Sequence, residues 1–164
     1  MAEITDTDRR LLRRAIELAA ENSREDLENP EGGPFGAVIA RDGEILAEGR
    51  NRALATHDPV AHAEIEAIRA ACQKIRNFHL TNATLYASSE PCPMCLAAAY
   101  WARITRIVYA NSRAEADFIG FCDADIYREL SLPEKERRIV MIHLPLPDAS
   151  LPLDLWKRLG RAMY

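Results

Sequence analysis

The sequence contains no long apolar run: none approaches the ~18 consecutive apolar residues that a membrane-spanning helix requires, so we expect no membrane association. Residues 1–6 lack a basic start that leads into an apolar stretch, and we therefore expect no secretory signal peptide. Basic residues are not in excess, because 21 lysines and arginines face 25 aspartates and glutamates for a net charge of −4. Nucleic acid is therefore not an expected partner, since contacts to phosphates need clusters of lysine and arginine.

Cysteine is also scarce, with only four residues in a chain of 164. Two of the four stand in one Cys-x-x-Cys, which is not the disulfide framework of a small secreted protein. We therefore expect a cytoplasmic protein with reduced thiols. The length corresponds to one domain with a substantial core, and we predict that residues 1–164 form a single domain with a helical tail over residues 153–164.

The hydrophobic pattern predicts helices alternating with strands. Helices are expected over residues 6–22, from about 59 to 76, and over residues 92–102, 124–130 and 153–163. Strands are expected over residues 35–40, 44–48, 83–88, 106–110 and 138–144, and the Asp42-Gly43 pair predicts a hairpin between the first two. Interleaved helices and strands favour an α/β fold in which a mixed or parallel sheet is covered by helices.

The strongest chemical signal is His62 and Glu64, followed thirty residues later by Pro91-Cys92-Pro93-Met94-Cys95. One imidazole and two thiolates suit zinc, and three protein ligands leave the fourth tetrahedral position open, as in catalytic zinc sites. Cys92 is expected to begin a helix, whose dipole favours its thiolate, and Cys95 lies one turn further on. Glu64 is then available to move protons. The H-x-E…P-C-x-x-C pattern is the signature of zinc-dependent nucleobase deaminases.

These residues also have other interpretations. A Cys-x-x-Cys at a strand-to-helix turn is equally typical of a thiol redox protein, and a structural zinc module is a further alternative. Cys122 as a fourth ligand would close the site, although nothing in its spacing favours this. His62 and Glu64 pose a geometric difficulty, because residues i and i+2 do not share a face within a regular helix. They can reach one site only at a helix end, and Asp58-Pro59 predicts such an end.

Several short stretches around these motifs match a known family. They are Gly33-Pro34-Phe35-Gly36-Ala37-Val38, Gly49-Arg50-Asn51, Asp58-Pro59-Val60-Ala61-His62-Ala63-Glu64, Glu90-Pro91-Cys92-Pro93-Met94-Cys95, Tyr100-Trp101-Ala102-Arg103 and Gly120-Phe121-Cys122-Asp123. Residues 33–130 thereby resemble the cytidine deaminase superfamily and, within it, the small bacterial guanine deaminases. The zinc motif is specific to the superfamily, whereas the sequence on either side of it indicates the guanine deaminase branch.

The resemblance implies a three-layer α/β/α cytidine-deaminase-like fold, with a five-stranded mixed sheet and helices on both faces. It implies a Zn²⁺ cofactor bound by His62, Cys92 and Cys95, and a homodimer that exchanges its C-terminal segments. The implied activity is hydrolytic deamination of a free nucleobase, with guanine converted to xanthine and ammonia. Guanosine, cytosine and amino-triazines stay open as substrates, and a tRNA adenosine is an alternative that the negative charge disfavours.

The resemblance also implies roles for individual residues. Glu64 is the catalytic acid and base, and Asp123 is a second catalytic carboxylate that binds the exocyclic amine and helps to move protons. The implied substrate contacts are Asn51, the backbone N–H of Ala63, and the rings of Phe35, Trp101 and Tyr164, with Tyr164 closing over the base. Family members generally carry Asp-Asp after the Gly-Phe pair, and here Cys122 replaces the first aspartate.

Overall fold

The computed structural model describes residues 3–161. Its contacts divide the chain into two compact units, one ending at Ile126 and one beginning at Tyr127. The helices are α1 (Asp6–Glu21), α2 (Ala53–Thr56), α3 (Ala63–Ile75), α4 (Pro93–Trp101), α5 (Arg113–Phe118), α6 (Ala124–Ser131) and α7 (Leu151–Arg158), with a short 3₁₀ helix at Glu134–Glu136. The strands are β1 (Gly36–Arg41), β2 (Glu44–Arg50), β3 (Ala83–Ser89) and β4 (Arg106–Asn111).

The strands form one mixed sheet in the order β2-β1-β3-β4. Strand β1 is antiparallel to both β2 and β3, while β3 and β4 are parallel. The predicted hairpin between β1 and β2 is confirmed: Asp42 and Gly43 both have positive φ, at 51° and 80°, as the central residues of a type I′ turn require. The sheet therefore has the expected mixed character.

The prediction of a fifth strand over residues 138–144 was wrong, because the sheet has four strands. The segment is apolar but forms no strand, and its side chains are exposed; Val140 is 79% exposed and Ile142 is 83% exposed. A strand needs a neighbour to bond its backbone N–H and C=O groups. Within the described residues 3–161 this segment has no such neighbour.

Helices cover both faces of the sheet, because alternate residues of β1 point in opposite directions. Val38 and Ala40 pack with Leu11 and Leu18 of α1. Ala37 and Ile39, on the other face, join a cluster with α3 and α4 residues that include Ala67, Ile68 and Ala99. The result is three layers, helix, sheet and helix, as expected for this α/β class.

The start of α3 differs from its prediction. Asp58 and Pro59 lie in a turn before the helix, in which the Asp58 carboxylate accepts the N–H of Val60 at 2.9 Å. The helix itself begins at Ala63. Gly49 of β2 fixes this placement, because a Cβ there would lie only 2.2 Å from the carbonyl oxygen of Ala63. The first turn of α3 thus packs directly on the sheet.

Other helix boundaries were approximately as predicted, but α2 and α5 were not expected from the hydrophobic pattern. Both are short, at four and six residues, and neither buries a residue, so neither carries an apolar stripe. The expected tail helix over residues 153–163 lies earlier, at Leu151–Arg158. Within the part of the chain that the structure describes, no helix is long and apolar enough to cross a membrane.

A buried ion pair joins α1 to the sheet. Asp8, 3% exposed, accepts hydrogen bonds from Arg106 of β4 at 2.6 and 3.0 Å and from the Tyr86 hydroxyl of β3 at 2.7 Å. Asp8 also accepts the backbone N–H of Thr5 at 2.8 Å, which completes a capping box at the start of α1. The Arg106 guanidinium holds the pKa of Asp8 well below its usual range.

We expect Asp8→Ala to lower the free energy of unfolding by about 3 kcal/mol, because it leaves Arg106 and Tyr86 without their shared acceptor. In the parent, the depressed native pKa means that the contribution is fully present above the unfolded-state pKa of about 3.9 and is lost as pH falls below it. Denaturant unfolding between pH 3 and pH 7 measures both effects. The matched control is Asp26→Ala, since the Asp26–Arg24 pair is exposed; an equal loss in both variants would contradict the role of Asp8.

Candidate active site

The starts of two helices meet at the predicted metal site. His62 is the N-cap of α3, with φ −73° and ψ 156°, and Cys92 is the N-cap of α4, with φ −65° and ψ 169°. Each therefore has extended backbone and lies just outside its helix. Glu64 lies in the first turn of α3, so the change of direction at the helix start lets His62 and Glu64 reach one site. This resolves the difficulty of their i, i+2 spacing.

The three candidate ligands lie in one cluster, with their donor atoms within 4.8 Å of one another. The Nδ1 atom of His62 is 3.6 Å from the Sγ atom of Cys92 and 3.6 Å from that of Cys95. Tetrahedral zinc, with Zn–S bonds near 2.3 Å and Zn–N bonds near 2.0 Å, separates such atoms by roughly 3.5 Å. The donor set and its spacing fit zinc. Cys122 is not part of this cluster among the described residues.

The two thiols are electrostatically different. The hydrogen bond from Cys95 lowers the pKa of Cys92 to about 4, and the N-terminal end of α4 also favours a thiolate there. Conversely, the hydrogen bond to Cys92 and burial raise the pKa of Cys95, which is fully buried. A cation bound between the sulfurs would take the place of this shared proton, because metal ligation requires deprotonated thiols.

Glu64 lies directly beside the ligands, with its Oε2 atom 3.5 Å from the Sγ atom of Cys95. It is only 8% exposed, and burial raises the pKa of its carboxyl group. A raised pKa makes a carboxyl group a stronger base than an exposed one, which suits a group that must both accept and donate a proton. The residue is therefore placed for proton transfer in front of the cluster.

A cavity of about 430 Å³ opens in front of His62, Glu64 and Cys92. It is at the small end of ligand sites, which suits a compact aromatic molecule. Phe35 and Phe121 meet edge to face at one side, with ring centroids 4.8 Å apart. The remaining lining residues are Asn51, Pro59, Ser89, Glu90, Met94, Ala116, Gly120, Cys122, Asp123 and Ile126.

Asn51 is held in place by its surroundings. It is 4% exposed, and its Oδ1 atom accepts the backbone N–H of Ala53 at 3.1 Å. The Asn22 side chain, at the end of α1, donates to the backbone oxygens of Asn51 and Gly33 at 2.8 and 3.0 Å. Gly32 lies so close that a Cβ there would be 2.1 Å from Asn51 Oδ1. With Oδ1 occupied, the amide NH₂ is the side-chain group of Asn51 that can donate toward a ligand in the cavity.

Asp123 lies on the side of the cavity formed by α5 and the loop after it. Burial raises the pKa of its carboxyl group, while Arg113 lowers it. Its Oδ1 atom is buried and accepts no hydrogen bond from residues 3–161. Gly120, with φ 97°, makes the turn that leads to this segment. The buried oxygen is therefore available to a ligand donor.

The structure brings together most of the predicted site residues, namely Phe35, Asn51, His62, Glu64, Cys92, Cys95 and Asp123. Ala63 is the first residue of α3, where a backbone N–H has no partner within the helix. Trp101 is different: it lies at the end of α4, is 67% exposed and does not line the cavity. Its role as a substrate contact stays a prediction. Tyr164 lies outside the described residues.

Two aspects of the site were missed from the sequence. Phe121 contacts Phe35, which lies 86 positions earlier in the chain. The Gly120-Phe121 pair was recognised in the sequence, but this contact was not predicted. Arg113 interacts with Glu90 and Asp123, and the signal for its position was the capping box Ser112-x-x-Glu115, which marks a helix start.

Comparison with known proteins agrees with this geometry. Residues 5–111 match the cytidine and deoxycytidylate deaminase zinc-binding region. The chain is 44% identical to the guanine deaminase of Bacillus subtilis over 146 residues, which is 89% of this chain and 91% of that protein. It is 39% identical to the tRNA-specific adenosine deaminase of Haemophilus influenzae over 117 residues, 71% of this chain and 65% of that protein.

The fold comparison gives the same result. The crystal structure of Bacillus subtilis guanine deaminase superposes with a TM-score of 0.88 at 40% identity, covering 98% of this chain and 99% of that one. The guanine deaminase of Nitrosomonas europaea superposes with a TM-score of 0.64 at 28% identity, covering 75% and 68% of the two chains.

Fold and site define a zinc-dependent deaminase, which is a class of hydrolase. The chain belongs to the cytidine and deoxycytidylate deaminase family. The interpretation as a thiol redox protein or a structural zinc module is thereby excluded, and the resemblance noted in the sequence is confirmed.

We expect about one Zn²⁺ per chain, bound by His62, Cys92 and Cys95. A Cys92→Ser, Cys95→Ser double variant should lose the metal, because two of the three ligand atoms are removed. Elemental analysis of purified protein measures the content directly. Cys72→Ser, Cys122→Ser is the matched control, since these two cysteines are outside the cluster. Full zinc occupancy in the first double variant would refute the ligand assignment.

Proposed function

We propose that this protein deaminates a free nucleobase by hydrolysis and that guanine, converted to xanthine and ammonia, is its substrate. The observation that carries the proposal is the cavity in which the donor cluster, Glu64 and Asn51 face a space of about 430 Å³. The choice of guanine as the substrate is supported by the similarity to Bacillus subtilis guanine deaminase across nearly the whole chain.

The cofactor we propose is a single zinc ion held by His62, Cys92 and Cys95. When bound, zinc acts as a Lewis acid that makes water a nucleophile near neutral pH. The rest of the chemistry belongs to the chain. The cavity orients the ring, and the buried Glu64 carboxylate is the group that holds the mobile proton.

Glu64 is proposed to act twice in one turnover. It first takes a proton from the attacking water and delivers it to the ring nitrogen beside the amino-bearing carbon, as oxygen bonds to that carbon. It then takes the proton of the newly formed hydroxyl group and passes it to the amino group, after which the carbon–nitrogen bond breaks and ammonia leaves with the electron pair of that bond. A carbonyl remains where the amine was. One water is consumed for each ammonia released, and one carboxyl group with a raised pKa serves as both base and acid.

Recognition is proposed to use the polar groups around the cavity. The NH₂ group of Asn51 donates to an acceptor on the purine, and the backbone N–H of Ala63 donates to a base oxygen. Asp123 accepts from the exocyclic amine, and Phe35 contacts the flat ring. The C-terminal Tyr164 is proposed to close over the base, which would exclude water and favour a free base over a nucleoside.

The adenosine of a tRNA is the second candidate substrate, and the similarity to the Haemophilus influenzae enzyme favours it. The charge of this chain opposes it: the net charge is −4, whereas tRNA binding depends on neutralising phosphates with lysine and arginine. Guanosine, cytosine and amino-triazines are tested together with it below.

We further propose a cytoplasmic homodimer. All four cysteines are free thiols, as in a reducing compartment. The apolar segment 138–144 is exposed, and β4 is an edge strand with one side unpaired among the described strands. Exposed apolar segments and open strand edges both favour association. We infer that a second copy of the chain covers this segment and receives the C-terminal residues.

Ammonia release, measured across a panel of guanine, guanosine, cytosine, amino-triazines and a tRNA anticodon stem, tests the activity. We expect guanine to be the preferred substrate. Glu64→Gln should keep zinc and fold but lower turnover by ~10²–10⁴-fold, because an amide cannot cycle a proton. Glu66→Gln is the matched control, since Glu66 is a partly exposed carboxylate in the same helix turn, pairs with Arg69 and does not line the cavity. Turnover of Glu64→Gln near the parent rate, or a preference for tRNA, would refute the proposal.

The dimer is tested by light scattering coupled to size-exclusion chromatography. We expect the parent to elute at twice the chain mass, 18.4 kDa. Val140→Asp, Ile142→Asp should shift it to the monomer, because burying two carboxylates at an apolar contact is costly. Ile4→Asp, at another exposed apolar residue, is the control that should stay dimeric. A parent monomer, or a double variant that stays dimeric, would contradict the assignment.

A further inference from the structure

Arg113 is the first residue of α5 and is held by Glu90, which follows β3. The Glu90 carboxylate accepts the Arg113 backbone N–H at 3.0 Å and its side-chain Nη2 at 2.5 Å. The backbone N–H of Glu90 donates to the carbonyl of Asn111, at the end of β4, at 2.8 Å. Glu90 therefore fixes both the main chain and the side chain of Arg113 against the ends of two parallel strands.

Holding the helix start does not require this arginine side chain. Ser112 and Glu115 already form a capping box, in which the Glu115 carboxylate accepts the Ser112 backbone N–H at 2.7 Å. Such a box satisfies the donors at a helix start by itself. The guanidinium of Arg113 is therefore surplus to the cap, and its position calls for another explanation.

The guanidinium also lies beside Asp123. The Nε atom of Arg113 lies 3.7 Å from the Oδ1 atom of Asp123, which is close enough for an ion pair but too far for a hydrogen bond. The Asp123 side chain is 18% exposed, and its Oδ1 accepts no hydrogen bond from the described residues. Arg113 thus compensates the charge of Asp123 while leaving the lone pairs of this oxygen available.

Asp123 needs such compensation because its side chain is only 18% exposed and because the Glu90 carboxylate, a second negative charge, acts on it. Without a nearby cation the carboxylate would turn toward water or take up a proton, and a protonated oxygen is a poorer acceptor. A positive charge at 3.7 Å keeps the acidic group charged and directed into the cavity.

We propose that Arg113 is a positioning residue that holds Asp123 ready to accept the exocyclic amine of the substrate, with Glu90 fixing Arg113 in turn. The inference rests on the proposed function, since it assigns the amine of a bound base as the partner of Asp123. It makes base selectivity depend on a residue that need not touch the base. Removing the guanidinium should weaken binding of an amino-bearing base much more than binding of the same ring without the amine.

The test compares guanine with hypoxanthine, which is guanine without its exocyclic amine. Binding is measured by equilibrium dialysis of radiolabelled bases on the zinc-loaded Glu64→Gln protein, so that turnover does not interfere. In this background, Arg113→Gln should weaken guanine binding about tenfold, the lower end for a hydrogen bond to a charged group, and change hypoxanthine binding less than twofold. Arg113→Lys should recover part of the loss, because it restores a cation without the bidentate geometry.

A double-mutant cycle identifies the route of the effect. Asp123→Asn should show the same selective loss, and adding Arg113→Gln to it should weaken guanine binding no further, because both changes remove one interaction. Arg14→Gln is the matched control, since Arg14 forms an ion pair with Glu48 at 2.7 Å outside the cavity lining. It should leave the affinities for both bases unchanged.

The outcomes separate the two proposals. Equal losses for guanine and hypoxanthine, accompanied by a lower melting temperature or zinc content, would show that Arg113 only supports the fold and would overturn the inference. Additive losses in the double variant would overturn it as well. Failure of the Glu64→Gln protein to bind guanine would instead refute the proposed substrate. The cycle would then use the amino-bearing base preferred in the panel and its analogue without the amine, and a missing selective loss there would overturn the inference.

Discussion

The site depends on one arrangement, the convergence of the N-terminal ends of α3 and α4. Each helix begins with a residue in extended backbone, His62 or Cys92, and each brings a second functional residue in its first turn, Glu64 or Cys95. The partial positive charge at a helix start favours the thiolate of Cys92, whereas at Glu64 burial outweighs it and raises the pKa of the carboxyl group. Gly49 lets α3 approach the sheet closely enough for the two starts to meet.

The groups around this convergence differ in how strongly the fold constrains them. Cys95 and Glu64 are buried and in contact with each other, so a substitution of one changes the hydrogen bonding of the other. Asn51 is held from behind by Asn22 and Ala53. Asp123 is held mainly by charge, through Arg113, on a short helix and loop at the border of the first compact unit. Burial and hydrogen bonds thus constrain the metal side of the cavity, whereas charge constrains the Asp123 side.

Cys122, which replaces an aspartate of the family pattern, lies beside Asp123 in the cavity lining. Cys122 is exposed and lines the cavity, and a hydrogen bond with Asp117 raises the pKa of its thiol. The thiol is therefore predominantly neutral at pH 7, and the loop contributes one carboxylate to the cavity, Asp123, where the family pattern has two. A single carboxylate paired with one arginine is electrostatically simpler than two adjacent carboxylates, which would repel each other.

The sequence alone determined the chemistry and most of the elements. The spacing of His62, Glu64, Cys92 and Cys95 predicted the metal cluster. Short motifs and the period of a helix involve residues close together in the chain, so they can be recognised in the amino-acid sequence. The hairpin at Asp42-Gly43 and the α1 stripe were equally local. The contacts of Arg113 with Glu90 and Asp123, and the contact between Phe35 and Phe121, could not be predicted, because they depend on which loops the pairing of β1, β3 and β4 brings together.

Tertiary structure alone decided the number of strands and the position of Trp101. Residues 138–144 have the composition of a strand, but a strand exists only where a neighbour bonds its backbone, and sequence composition does not specify the neighbour. Trp101 lies in a stretch of sequence that matches the family, yet it is nine residues beyond Cys92, at the far end of α4. Sequence similarity established the family, whereas the direction of a helix determined which of its side chains face the cavity.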